Sequence, residues 1–224
     1  NAQQVVERVR ERLALLEATL PEGMTINTFY DRGALVERAI GNVSSALAEA
    51  AVLVVILLFL FLGNLRAAIS VVLILPLAAL ATFLAMRLYG LSANLMSLGG
   101  LAIAIGMLVD AAVVVVENIE AHQAQAHHGP KQSRLHVIYR ATAEVAVPVT
   151  SGIAIIAIVF LPLLSLQGLE GKLFGPVALT IVFALVASLI LSLTVLPVAA
   201  SYLLGDHAHG TPRMVRFLEE RYRR

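Results

Sequence analysis

The distribution of charged residues constrains the fold of this chain more than any other feature of its sequence. An α-helix rises about 1.5 Å per residue, so about 20 apolar residues are needed to cross the roughly 30 Å hydrocarbon core of a bilayer. Five long stretches contain no Asp, Glu, Lys or Arg, and they are residues 50–65, 67–86, 88–109, 145–169 and 173–205. The pattern therefore predicts five membrane-spanning helices.

Apolar residues beside these stretches set the expected bounds of the spans. The third stretch continues through Asp110, because residues 111–116 are again apolar. With 59% hydrophobic and 14% charged residues, the chain is too apolar for one soluble core. We predict an all-α multi-pass membrane domain over residues 34–205, with spans at about 43–65, 67–88, 92–118, 146–168 and 173–204.

Residues 1–33 have a different pattern from the membrane region. Apolar residues recur every three or four positions up to Leu20, which predicts an amphipathic helix, and residues 21–23 (Pro-Glu-Gly) end it. Residues 24–30 alternate imperfectly between apolar and polar, which predicts a strand. A lone helix and strand cannot close a core, so we interpret this short α+β segment as the end of a larger domain and expect further sequence upstream.

Basic residues near the span ends predict the orientation in the membrane. Three lie in the predicted loop 119–145 and five in residues 206–224, whereas the turns on the opposite side hold only Arg87 and Lys172. We therefore predict a cytoplasmic loop at 119–145, the start of a cytoplasmic amphipathic helix at 206–224, and an N-terminal segment on the other side of the membrane.

The charge balance and the absence of cysteine exclude some function classes. The net charge is +1 and no basic stripe is present, so we expect no nucleic-acid partner. The chain has no cysteine, which excludes disulfides and thiolate metal sites within it.

Two acids, Asp110 and Glu117, lie in or beside the third apolar stretch. An ionised carboxylate at the centre of a membrane helix costs about 2.5 kcal/mol or more, so an acid there needs a reason. Seven steps of about 100° return close to the starting direction, which places both acids on one helix face. Such a pair suits proton transfer along a wet path, and its basic partner would come from outside this chain. The alternative is structural, with a hydrogen bond at Asp110 and a helix end at Glu117.

Glycines and histidines form two further candidate groups. Gly99, Gly100 and Gly106 lie on the helix of the two acids, where a missing side chain lets another helix approach closely, so we predict a packing role for them. The adjacent His127 and His128 are a weak metal motif, because no third ligand is suitably spaced. Solvated loop histidines are the better interpretation of that pair.

Several motifs of the chain resemble one known family. Residues 94–118, with SLGG, AIAIG and VDAAVVVVEN, resemble the fourth membrane helix of resistance-nodulation-division (RND) exporters of the heavy-metal efflux branch, the Cus/Czc type. LPEGM near Pro21, YDRGALVERAI at Tyr30, LPL at Leu75 and EGKLFGPVALT at Glu170 are similar in the same order. The resemblance covers nearly the whole chain. It implies the end of a periplasmic porter subdomain followed by membrane helices 2 to 6 of a twelve-helix protomer.

The resemblance also implies a function. Members of this branch are secondary transporters of the bacterial inner membrane, not enzymes, and they expel metal cations in exchange for protons without a bound cofactor. It implies a proton-relay role for Asp110 and Glu117, answered by a lysine on the tenth helix, outside this chain. The implied partners are the remaining half of the pump, two further copies in a homotrimer, a periplasmic adaptor, an outer-membrane channel and membrane lipid.

The metal stays open between two groups. Exporters of zinc, cobalt and cadmium tend to carry a second aspartate six residues before the position of Asp110, where this chain has Ala104. Copper and silver exporters carry methionine pairs, because the soft thioether suits monovalent copper or silver. Met96 matches one such methionine, but Leu108 and Val115 replace others. Met96 is therefore a candidate metal ligand whose alternative role, like that of Met107, is packing.

Two other functions are compatible with the same motifs. One is an RND exporter of organic compounds, although those exporters usually carry two adjacent aspartates and Ala111 follows Asp110 here. The other is a truncated membrane protein that inserts and binds partner helices but transports nothing. A lysine-bearing second half of the coding sequence would distinguish a pump from such a remnant.

Overall fold

The computed structural model describes residues 2–17, 19–21, 23–28, 32–62, 64–126 and 133–204. This part of the chain consists of helices joined by short turns. The elements are α1 (Ala2–Glu17), α2 (Arg32–Leu62), α3 (Leu65–Tyr89), α4 (Leu95–Ala126), α5 (Arg134–Phe160), a short 3₁₀ helix (Leu161–Ser165) and α6 (Gly168–Leu203).

Helices α2 to α6 are long and apolar enough to cross a membrane. The span of α5 includes the 3₁₀ helix, which begins where Pro162 interrupts the α-helical hydrogen bonding. The predicted all-α membrane fold is confirmed, with five long apolar helices in the part of the chain that the structure describes.

The predicted N-terminal strand is not seen. Residues 24–28 have no strand assignment, and residues 29 and 30 lie outside the described ranges. A strand requires a neighbouring strand for its backbone hydrogen bonds, and the described ranges contain no other strand that could supply them. Of the predicted α+β segment, the structure therefore contains the helix α1.

Several helices extend past the span ends that the apolar pattern predicts, and the extensions of α4 and α5 lie in the predicted loop 119–145. α4 continues to Ala126 rather than ending near residue 118, and α5 already begins at Arg134. Residues 119–126 are mostly Ala, Gln and Glu, which favour helix without being apolar. Ser133 caps α5, its side chain accepting a hydrogen bond from the backbone N–H of His136.

α4 lies at the centre of the bundle. It packs against α2, α3, α5 and α6, and it is the most buried of the five spans. Buried apolar residues form two clusters along it. One contains Val115, Val116 and Ile119 of α4, and the other contains Ala104 and Leu108. The position of α4 is therefore determined by contacts along most of its length.

Candidate site on the uncovered face of α4

One face of α4 is not covered by the described chain. Five exposed residues follow each other at spacings of three or four, which places them on one side of the helix. We call this stripe the acid face, and its residues are Ile103, Gly106, Asp110, Val114 and Glu117. The prediction that the two acids share a face therefore agrees with the exposure pattern of α4.

Asp110 lies near the middle of α4, which runs from Leu95 to Ala126. Glu117 lies seven residues further on, about 10 Å along the helix axis at 1.5 Å per residue. Neither carboxylate forms a hydrogen bond or ion pair with any residue in the described ranges. The structural alternative, in which Asp110 serves as a hydrogen-bonding residue of this bundle, thus has no contact to support it in that part of the chain.

Asp110 has no cation at its depth among the described residues, whereas Glu117 precedes Asn118, whose amide bonds to α5 at Ala141, next to Arg140. No Lys or Arg occurs in the apolar stretches of the five spans, and Arg66, Arg87 and Lys172 lie in or near the connecting turns. A carboxylate in hydrocarbon is stable only when it is protonated, hydrated or paired. Carboxyl groups in this position can hold or release protons, and their charged form requires water or a cation beside it.

The opposite side of α4 is held closely against α6. A Cβ built at Gly100 would lie 2.7 Å from the carbonyl oxygen of Val177, so only glycine fits there without movement. Two turns later, the hydroxyl of Ser188 donates a hydrogen bond of 2.6 Å to the carbonyl oxygen of Leu108. At both contacts the backbones of α4 and α6 come close, because the residues at the interface have small side chains or none.

The three predicted packing glycines differ in their surroundings. Gly100 lies at the close approach to α6, whereas a Cβ at Gly99 or Gly106 would meet no atom within 4 Å in this structure. Gly106 lies on the acid face, one turn before Asp110. Packing at Gly99 and Gly106 remains a prediction about whatever helix covers them.

Polar contacts at the far end of α4 were not predicted from the sequence. The Asn118 amide donates to the carbonyl oxygen of Ala141 at 2.7 Å, and His122 Nε2 lies 3.0 Å from a carboxylate oxygen of Glu144. Both contacts join α4 to α5. The sequence did contain one indication of them. Asn118 and His122 are four residues apart, which places both on one face of α4, and that face is not the one that carries Glu117.

The two methionines of α4 lie eleven residues apart, about 16 Å along the helix axis. Met96 is half-buried near the start of α4, and Met107 packs against an apolar cluster. Within the described ranges no group of three or more His, Cys, Asp or Glu is arranged to hold a metal ion. His127 and His128 lie outside those ranges.

The chain is similar to known transporters along its whole length. A family model described as the AcrB/AcrD/AcrF family matches residues 1–224. The cobalt-zinc-cadmium resistance protein CzcA of Cupriavidus metallidurans is 45% identical over 99% of this chain and 21% of its own length. The cation efflux system protein CusA of Escherichia coli strain K12 is 38% identical over 90% of this chain and 20% of its own length.

A solved structure supports the same relationship. The X-ray crystal structure of a heavy metal efflux pump superposes with a TM-score of 0.76 at 34% identity, covering 89% of this chain and 20% of that one. The chain spans about a fifth of the length of the relatives it matches.

Proposed function

The chain belongs to the AcrB/AcrD/AcrF family, in its CusA/CzcA-type branch of RND transporters, and from this premise we propose that it is part of a proton-driven pump that expels heavy-metal cations. Such a pump is a secondary transporter and not an enzyme. The observation that carries the proposal is the acid face, where Asp110 and Glu117 have no partner among the described residues, on the most buried span.

In this proposal Asp110 and Glu117 are the proton relay. Protonation removes the charge of a carboxylate and with it the cost of covering the acid face by an apolar helix. Release of the proton restores the charge and requires water or a cation beside it. The relative position of the covering helix and α4 thus depends on whether the acids hold protons, which is how proton flow would drive a conformational cycle.

The metal class is supported by the named relatives. One is named for resistance to cobalt, zinc and cadmium, and another as a cation efflux protein. Met96 is the residue of this chain whose soft thioether favours monovalent copper or silver, while Ala104 lacks the carboxylate that a harder divalent ion prefers. Both groups of metals are therefore included as transported substrates in the test below.

The remaining parts of the proposal concern the whole protein. We place it in the bacterial inner membrane, with the C-terminus and residues 119–145 cytoplasmic. Residues 1–33 form the C-terminal part of a periplasmic porter subdomain, whose other strands would pair with residues 24–30. The working assembly is a homotrimer with a periplasmic adaptor and an outer-membrane channel, and the second half of the pump covers the acid face.

The test is the replacement of Asp110 by Asn in the full-length protein. Asn is almost the same size and forms hydrogen bonds but cannot release a proton. We expect Asp110→Asn to reach the membrane in normal amounts and to lose proton-coupled export in proteoliposomes with an imposed pH gradient, assayed with Zn²⁺ and with Ag⁺. Glu117→Gln should reduce export less, because it lies nearer the helix end, where water can replace it.

Glu170→Gln is the matched control. Glu170 is an exposed acid in the first turn of α6, away from the acid face, so its neutralisation should leave export unchanged. Normal transport by Asp110→Asn would refute the relay. Loss of folded Asp110→Asn protein, with normal amounts of Glu170→Gln, would make Asp110 a structural residue.

A further inference from the structure

α6 presents a row of small residues to the interior of the bundle. They recur at spacings of four, which keeps them on one face. Each is at most 1% exposed, and the row consists of Thr180, Ala184, Ser188 and Ser192. Three of the four carry a hydroxyl, so each hydroxyl buried there needs a hydrogen-bond acceptor.

The three hydroxyls differ in whether they have a hydrogen-bond partner and in where that partner lies. Thr180 donates within its own helix, to the carbonyl oxygen of Pro176 at 2.7 Å. Ser188 donates across the interface to the carbonyl oxygen of Leu108 in α4, at 2.6 Å. The Ser192 hydroxyl has no partner in this structure. Of the row, Ser188 is therefore the residue whose hydroxyl joins α6 to α4.

The acceptor residue of that bond, Leu108, is close to Asp110 in sequence but lies on a different side of α4. Leu108 precedes Asp110 by two residues, and two steps of about 100° turn the side-chain direction by about 200°. Leu108 is 1% exposed and faces the interior, while Asp110 is exposed on the other side. When α4 is rotated so that Leu108 lies against Ser188, the Asp110 side chain points away from α6.

A second contact defines the same relationship between the helices. Gly100 approaches the backbone of Val177 eight residues before Leu108, about 12 Å along α4 at 1.5 Å per residue. The Gly100 contact limits how close the helices come, and the Ser188 hydrogen bond fixes which carbonyl of α4 faces α6. Together with the apolar clusters along α4, they restrain its rotation and axial position against α6.

We propose that Ser188 is a positioning residue for the Asp110 carboxyl, acting through its hydrogen bond to the Leu108 carbonyl oxygen. This inference rests on the proposed proton relay. The bond is buried, so no water replaces it when the hydroxyl is removed. Without it α4 loses one restraint on its rotation against α6, and the Asp110 carboxyl is held less well in the orientation needed for proton exchange.

The experiment compares Ser188→Ala with Ser192→Ala in the full-length protein. The two serines lie one turn apart on the same face and are equally buried, but only Ser188 has a partner on α4. Ser188→Cys is a third variant, because a thiol of similar size donates only weakly. Each is reconstituted with an imposed pH gradient, and transport of Zn²⁺ and Ag⁺ is measured in separate runs, per folded molecule and over a range of metal concentrations.

If Ser188 is a positioning residue, its replacement should change the turnover and leave the apparent affinity for the metal unchanged. Turnover per folded Ser188→Ala molecule should fall about fivefold, the effect expected when one ordinary hydrogen bond is lost. The metal concentration for half-maximal rate should not change, because Met96, the candidate metal ligand on α4, lies twelve residues before Leu108, about 18 Å along the helix. Ser188→Cys should be intermediate, and Ser192→Ala should match the wild type.

Three results would overturn the inference. The first is unchanged turnover in Ser188→Ala, and the second is an equal loss in Ser192→Ala. The third is failure of Ser188→Ala to accumulate in the membrane while Ser192→Ala does, which would make the hydroxyl a structural requirement. Asp110→Asn is measured in the same series. If it transports normally the relay itself fails, whereas its inactivity beside a fully active Ser188→Ala rejects only the positioning role.

Discussion

Adding one methyl group at Gly100 should destabilise the protein, whereas this bundle leaves room for the same change at the next residue, Gly99. A Cβ at Gly100 would lie 2.7 Å from the Val177 carbonyl oxygen, against an ordinary contact distance of 3.4 Å or more. Because the obstacle is backbone inside a helix, α4 and α6 must separate by about 0.7 Å to admit it. Overpacking of this kind costs about 1–3 kcal/mol.

Gly99→Ala provides the matched control on the same helix. In this bundle, a Cβ at Gly99 would have no atom within 4 Å. Alanine also stabilises a helix relative to glycine by up to about 1 kcal/mol. We therefore expect the two variants to differ by about 2 kcal/mol or more in stability. Unfolding of a large membrane protein is often irreversible, so the useful measurement is the half-life of the folded full-length protein at a fixed elevated temperature.

The outcome separates two explanations of the glycine pair. A shorter half-life for Gly100→Ala and an unchanged or longer one for Gly99→Ala would support the close approach of α4 to α6. An unchanged half-life for Gly100→Ala would refute the reasoning from the Val177 contact, whereas a loss in Gly99→Ala as well would place the predicted covering helix against Gly99.

Three further predictions concern orientation, metal choice and the far end of α4. Reporter fusions after Gly129 should report the cytoplasm and fusions at Gly90 the opposite side, and a cytoplasmic signal at Gly90 would contradict the five-span topology. Met96→Leu should weaken resistance to copper or silver and leave zinc resistance intact, whereas equal resistance to all metals would assign Met96 to packing. Asn118→Ala should destabilise the fold by about 1 kcal/mol, since it removes the hydrogen bond to Ala141, and an unchanged unfolding half-life would show that this bond is dispensable.

The sequence predicted the features that depend on long apolar runs and on helical periodicity. Runs without charge predicted the five long helices, because crossing hydrocarbon imposes a length and a composition. The spacing of Asp110 and Glu117 predicted one shared face, because helix geometry alone determines it. The motifs of the fourth span and those along the rest of the chain identified the family correctly.

Other features depend on contacts that a single sequence does not reveal. The packing prediction treated Gly99 and Gly100 alike, since nothing in the local sequence indicates which of two adjacent glycines faces Val177. The interhelix bond of Ser188 was missed for a similar reason, because serine in an apolar helix usually bonds within its own helix. The length of α4 beyond its predicted span was not foreseen, because residues 119–126 favour helix while the span prediction followed hydropathy.

The asymmetry of α4 has a mechanical consequence. One side of this helix is bonded to α6 and α5, and the other side has no contact within the described bundle. A force that acts on the acid face is then transmitted from α4 to α5 and α6, and the three helices move together instead of α4 bending alone. The movement that breaks the fewest contacts is a rigid-body shift of these three helices along the helix that covers the acid face. Distances between α4 and α6 should therefore stay constant through a transport cycle, while distances measured across that boundary change.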